Sequence, residues 1–108
     1  MREREIEAYL VQRVKELGGE VRKVKWIGRN GAPDRLIMLP DKKITHGCAA
    51  CRYTRHDPRP CVWVELKATG KKAEPHQERE HARMRTMGQR VEVIDSLEGV
   101  DKLLLGAT

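Results

Sequence analysis

With 108 residues and an apolar fraction of 39% that includes no Phe, the chain is sized for one domain whose modest core must be built from Leu, Val, Ile and Met. Charged residues make up 35% and the net charge is +6, a balance that favours a polyanionic partner. The polar start Met1-Arg2-Glu3-Arg4-Glu5 and the lack of any long apolar run argue against a secretory signal or membrane span, and three cysteines in such a chain argue against a disulfide framework, so a cytoplasmic, intracellular protein is expected.

From Arg2 to Leu17 the apolar positions Ile6, Leu10, Val14 and Leu17 recur at helical spacing, and Gly18-Gly19 supplies a stop. Val21, Val24 and Trp26 fall in a basic segment that reads as a strand, and Gly28 to Pro33 reads as a loop. Leu36 to Leu39 and Val62 to Leu66 are apolar runs of strand length, the second interrupted only by Glu65. Residues 40–61 between them are mostly polar, lack periodicity and read as an insertion holding all three cysteines. Gly70-Lys71-Lys72 makes a basic turn, and Pro75 suits the first position of a helix ending near Gly88. Val91 to Ile94 is a further strand, and Ser96 caps a last helix with Leu97, Val100, Leu103 and Leu104 on its apolar side. The order αβββαβα predicts a mixed sheet flanked by helices, a single α/β domain spanning the chain.

Two short strings carry the chemistry: Gly31-Ala32-Pro33-Asp34-Arg35 and Glu65-Leu66-Lys67. Strand residues two apart share a face, so Glu65 and Lys67 project together while Val64 and Leu66 face the other side. Asp34 opens the preceding apolar strand just after a proline that restricts the entering chain. If those strands are neighbours, two carboxylates and an ammonium meet, a set able to hold Mg²⁺ or Mn²⁺ and activate water against a phosphodiester. A surface Asp and a surface Glu-Lys pair are the bland alternative.

The order Pro-Asp, spacer, Glu-x-Lys resembles the PD-(D/E)xK nuclease superfamily, and within it the VRR-NUC domain, over nearly the whole chain. The resemblance implies a restriction-endonuclease-like fold, the backbone carbonyl of Leu66 as a further metal ligand, and Lys67 orienting the attacking water or stabilising the transition state. It also implies a helix-one glutamate, assigned to Glu7 with Glu3 as the next choice, and a helix-opening glutamine, Gln77, that places the lysine or the DNA backbone. The aromatic residue that often follows that glutamine is missing; His81 occupies the corresponding face and is left without a role. Lys71, Lys72, Arg29 and Arg35, with Lys23, Lys25, Arg79 and Arg83, are candidates for phosphate contacts, which supply affinity without reading sequence.

The insertion departs from that pattern. Cys48 and Cys51 have a metal-knuckle spacing, and Cys61 with His46 or His56 would complete a tetrahedral zinc site; an irregular loop with free thiols is the alternative. A redox pair is disfavoured because no helix follows Cys51.

The sequence therefore predicts a Mg²⁺- or Mn²⁺-dependent endonuclease acting on DNA, branched or otherwise structured, in phage or bacterial replication, repair or recombination. A homodimer is expected by analogy with small nucleases that cut two strands. The alternative is a non-catalytic nucleic-acid-binding module with a zinc-stabilised insertion.

Overall fold

The computed structural model describes residues 1–40, 42–45, 54–57 and 61–105, the two inner segments by their backbone pairing alone. Its elements are α1 (Glu3–Glu16), β1 (Glu20–Lys23), β2 (Arg35–Met38), β3 (Lys42–Thr45), β4 (Thr54–Asp57), β5 (Val62–Leu66), α2 (Pro75–Thr86), β6 (Arg90–Ile94) and α3 (Leu97–Leu104).

Helix α1 forms because Ile6, Leu10 and Val14 fall one turn apart and leave water completely. Its first turn is closed by Glu5, whose carboxylate accepts the Arg2 backbone N–H at 2.9 Å. Helices α1 and α2 end alike. Gly18 and Gly88, both at φ +83, turn the chain left-handed, and the next residues, Gly19 and Gln89, donate to Val14 and Met84 carbonyls at 2.9 and 3.1 Å. Glycine adopts that backbone without a Cβ clash, so each helix gives way to a strand after only three residues. In α3 the Ser96 hydroxyl accepts the Gly99 N–H at 3.0 Å, the cap expected from the sequence.

Four strands form one sheet in the order β1-β2-β5-β6. The first three pair antiparallel; β5 and β6 run parallel, joined by the crossover helix α2. Alternation along β5 sorts its side chains. Val62, Val64 and Leu66 join Ile6, Leu10, Val14, Val100 and Leu104 in the buried core beneath α1 and α3. Trp63 and Glu65 reach α2 and the turn that follows it, through Gln89 and His81. Tyr9 locks the two core helices together by donating to Asp101 at 2.7 Å.

Two sequence expectations change. The basic strand is shorter than the Val21–Trp26 reading, because Trp26 has turned away to bond the loop that follows. Residues 40–61 read as an insertion without periodicity and with no strand assigned, yet β3 and β4 form an antiparallel two-stranded sheet there, with Lys42 opposite Asp57 and Thr45 opposite Thr54. Among the described residues nine elements therefore stand where seven were expected, and removing that pair leaves the order αβββαβα. Of the zinc candidates, His46, Cys48 and Cys51 lie outside the described residues. His56 lies on β4 with its side chain likewise outside them, and Cys61 is an exposed free thiol.

Replacing Leu10 by Ala should cost about 2–5 kcal/mol by emptying the centre of the α1 contact, whereas Val11→Ala, on the exposed side, should change stability by less than about 0.5 kcal/mol. Urea denaturation of both variants checks the assignment of the buried face.

Candidate active site

Strand register assembles the site. In the β2–β5 pair Leu36 faces Trp63 and Arg35 faces Val64; one further step along the same register sets Asp34 across from Glu65. Opposed residues in an antiparallel pair lie on the same face, so Asp34, Glu65 and Lys67 belong to the α2 side of the sheet and Arg35 to the α1 side.

The loop before Asp34 is held at several points. Val24 donates its backbone N–H to the Asp34 carbonyl at 2.9 Å, and the Trp26 indole N–H donates to the Pro33 carbonyl at 2.7 Å. The Trp26 ring lies 5.1 Å from that of Trp63, which stands two residues before Glu65. Gly31 has φ +87, and a Cβ there would meet the His76 carbonyl at 2.8 Å. Only glycine lets this loop close on the first turn of α2, which explains the glycine three residues before Asp34.

Glu65 is only 9% exposed and has no hydrogen-bond donor among the described residues. Burial, with the Asp34 and Glu3 charges adding, pushes its carboxyl up to about 7 against the opposing pull of Lys67 and Arg35. The closest cationic candidate is His81, whose Nε2 lies 3.7 Å from Glu65 Oε1. Burial, reinforced by Arg85, holds this imidazole below the usual histidine range. Lys67 donates its backbone N–H to the Ile94 carbonyl at 2.9 Å, and its ammonium has no ion pair among the described residues.

Arg35 is placed differently from the exposed phosphate contact read from the sequence. It is 6% exposed, and its Nη2 donates to Glu7 Oε2 at 2.8 Å while Nη1 lies 2.9 Å from Asp34 Oδ2 in an ion pair without hydrogen-bond alignment. Burial alone would lower its affinity for a proton, but the Glu7 hydrogen bond and the Asp34 charge turn the net shift upward. A buried guanidinium thus links a helix-one carboxylate to the carboxylate at the start of β2. An arginine bordering an apolar run carries no sequence signal for this.

Gln77 closes the first turn of α2: its Oε1 accepts the Glu74 N–H at 2.8 Å, so this oxygen serves as a helix cap. Lys71 and Lys72 are exposed on a turn tied down by the Gly70 N–H to Asp95 at 3.3 Å and the Thr69 hydroxyl to the Asp95 carbonyl at 2.9 Å. They line a cleft of about 510 Å³ with His81, Arg85, Glu78 and Asp95. Arg29 lies in a second groove, 3.7 Å from Glu80, between the two tryptophans and the end of α2.

Among the described residues, no three His, Cys, Asp or Glu side chains form a closed metal cage. The donor set nonetheless suits a hard cation that keeps most of its waters: a buried carboxylate lacking a donor, a second carboxylate across the strand pair, and neighbouring backbone carbonyls.

The buried Glu65 makes metal-free stability depend on pH. Its folded-state value stands above that of an unfolded carboxyl, so its contribution is full below about pH 4.5 and is lost as pH rises through about 7. In EDTA, Glu65→Gln should melt a few degrees above the parent at about pH 8 and close to it at about pH 4.5. Thermal denaturation at both pH values checks this.

No family model matches the chain. It is 41% identical over 96 residues to "Putative nuclease p44" of Acyrthosiphon pisum secondary endosymbiont phage 1, covering 89% of this chain and 85% of that one. A solved structure described as a VRR_NUC domain superposes with a TM-score of 0.72 at 38% identity, covering 95% of this chain and 94% of the other. The relative's identity and coverage, together with the matching fold, show that the chain belongs to the VRR-NUC family of nucleases.

Proposed function

We propose that the protein is a metal-dependent endonuclease that hydrolyses DNA phosphodiesters, with Asp34, Glu65 and the Leu66 carbonyl holding Mg²⁺ or Mn²⁺ and Lys67 assisting. The observation that carries this reading is the β2–β5 register, which sets Asp34 across from Glu65 with Lys67 on the same face. A bound divalent cation supplies Lewis acidity and a water of lowered pKa.

The remaining work falls to the chain. Glu65, desolvated and without a donor among the described residues, would offer its carboxylate to that cation. Asp34 is paired with the adjacent Arg35 guanidinium, and Trp26 and Gly31 hold its loop in position. Lys67 meets the negative charge that develops on the phosphorus oxygens. Both helix-one carboxylates border the site: Glu7 is tied to Asp34 through Arg35, and the Glu3 charge is felt at Glu65. Mn²⁺ affinity of Glu3→Gln and Glu7→Gln distinguishes which completes the ligand set. Gln77 supports the site by capping α2, the helix that carries His81 over Glu65.

Lys71 and Lys72 stand on the exposed turn that follows Lys67, where they can follow a phosphate backbone. The described helices α1 and α3 are packed into the core, which leaves neither of them to read a major groove; recognition by shape, as in branched or otherwise structured DNA, fits better. One chain offers one such face, so cutting both strands would take two copies, and we extend the proposal to a homodimer on DNA. A zinc site in residues 46–61 stays part of the proposal, with elemental analysis as its test.

Incubation with flaps, forks and four-way junctions in Mg²⁺, Mn²⁺ or EDTA tests the activity, and cleavage in EDTA equal to that in metal would refute it. Asp34→Ala should abolish cleavage while leaving DNA binding largely intact in a gel-shift assay. Lys67→Ala should lose about 10²–10⁴ in rate yet retain Mn²⁺. Charge reversal at Lys71 and Lys72 should flatten the dependence of DNA affinity on salt, as fewer counterions are released; an unchanged slope would move the DNA path elsewhere.

A further inference from the structure

His81 is 1% exposed, yet its Nε2 has no hydrogen-bond partner. A buried polar atom without a partner is costly, and leucine or methionine at this place on α2 would fill the same space without that cost. The helix presents His81 one turn after Gln77 and three residues before the buried Met84, so the imidazole sits on the face of α2 that meets the sheet. What it meets there is Glu65. The 3.7 Å between Nε2 and Oε1 is longer than a hydrogen bond by about half an ångström or more. On its other side His81 lines the basic cleft beside Lys71 and Lys72.

The two groups complement each other. Glu65 is a buried carboxyl with no donor, and His81 is a buried ring nitrogen with no partner. We propose that His81 is the positioning residue for Glu65: its Nε2–H closes on Oε1, leaving the remaining oxygen as the one available to a cation. The imidazole touches neither the cation nor the substrate. It fixes the rotation of the carboxylate, as partners of metal-binding carboxylates commonly do. The pocket around the ring suits a neutral donor: burial and the charges of Arg85 and Lys67 oppose a second proton on it, while Glu80 and Glu78 favour one less strongly. A neutral imidazole carries a single N–H, and a carboxylate facing Nε2 selects the tautomer with the proton there.

This inference rests on the proposed metal-dependent reading of the site, and its test separates the two. Titration calorimetry with Mn²⁺ alone is carried out on the parent, His81→Leu, His81→Gln and His81→Asn, with circular dichroism and thermal melting of each. Glutamine places its amide near the position of Nε2 and asparagine falls short of it. The expected result is Mn²⁺ binding about 10–100-fold weaker in His81→Leu and His81→Asn, restored to within a few-fold of the parent in His81→Gln, with gel-shift affinity for DNA in EDTA equal in all folded variants. If His81→Leu does not fold, the glutamine–asparagine pair carries the comparison. Equal Mn²⁺ affinity in folded Leu or Asn variants would overturn the positioning role, as would a folded His81→Gln no better than His81→Asn. A parent protein that neither binds Mn²⁺ nor cleaves DNA would instead overturn the reading of the site on which the inference is built.

Discussion

The antiparallel pairing of β2 with β5 is the constraint on which the site depends. Because side chains alternate, the register decides which residues of each strand share a face. With Arg35 opposite Val64, Asp34 falls beside Glu65 on the α2 side and Arg35 points into the α1 side. A slip by one residue would bury Asp34 against the helix-one core and turn the arginine towards Lys67 and the cleft. Several features guard against that slip. Ile37 and Val62 meet in the core, Gly31 closes against α2, and Trp26 holds the Pro33 carbonyl. The short strands are thus specified by both faces and by the loop that leads into them.

Charge is distributed across the two faces in a consistent way. On the α1 side the buried guanidinium of Arg35 is satisfied by Glu7 and faces Asp34, so its desolvation is compensated by two carboxylates. On the α2 side Glu65 is left without such compensation and holds its proton up to about 7. A fold selected only for stability would avoid an unpaired buried carboxyl, and perturbed carboxyls of this kind gather at functional sites. In the proposed reading the destabilisation sits at the point where a cation would relieve it, so folding and metal binding would share the same carboxylate.

Much of the framework was legible in the sequence. The 3.6-residue spacing of Ile6, Leu10 and Val14, the Pro75 start of α2 and the Ser96 cap were all local signals, and the structure uses each. Glu65 and Lys67 were placed on one face by strand periodicity alone. What stayed hidden depended on contacts far apart in the chain. Arg35 read as a surface base because the carboxylate that accepts its hydrogen bond, Glu7, comes from α1, far away in the chain. Trp26 read as a strand residue because its hydrogen bond to Pro33 exists only once the loop has closed. The β3–β4 pairing escaped because polar strands such as Thr54–Asp57 carry no alternation of apolar and polar residues. Gln77 shows a local role that the resemblance did not supply: its oxygen accepts the Glu74 N–H and caps α2.

The aromatic pair has a practical corollary. The chain contains only two tryptophans, and both belong to the scaffold of the site. Trp26 bonds the residue before Asp34, and Trp63 stands on the strand that carries Glu65 and Lys67. Their rings are close enough to share excitation. Tryptophan fluorescence, excited above the tyrosine absorption band, therefore originates within this scaffold and offers an optical view of the loop and strand that carry the two carboxylates as solution conditions change.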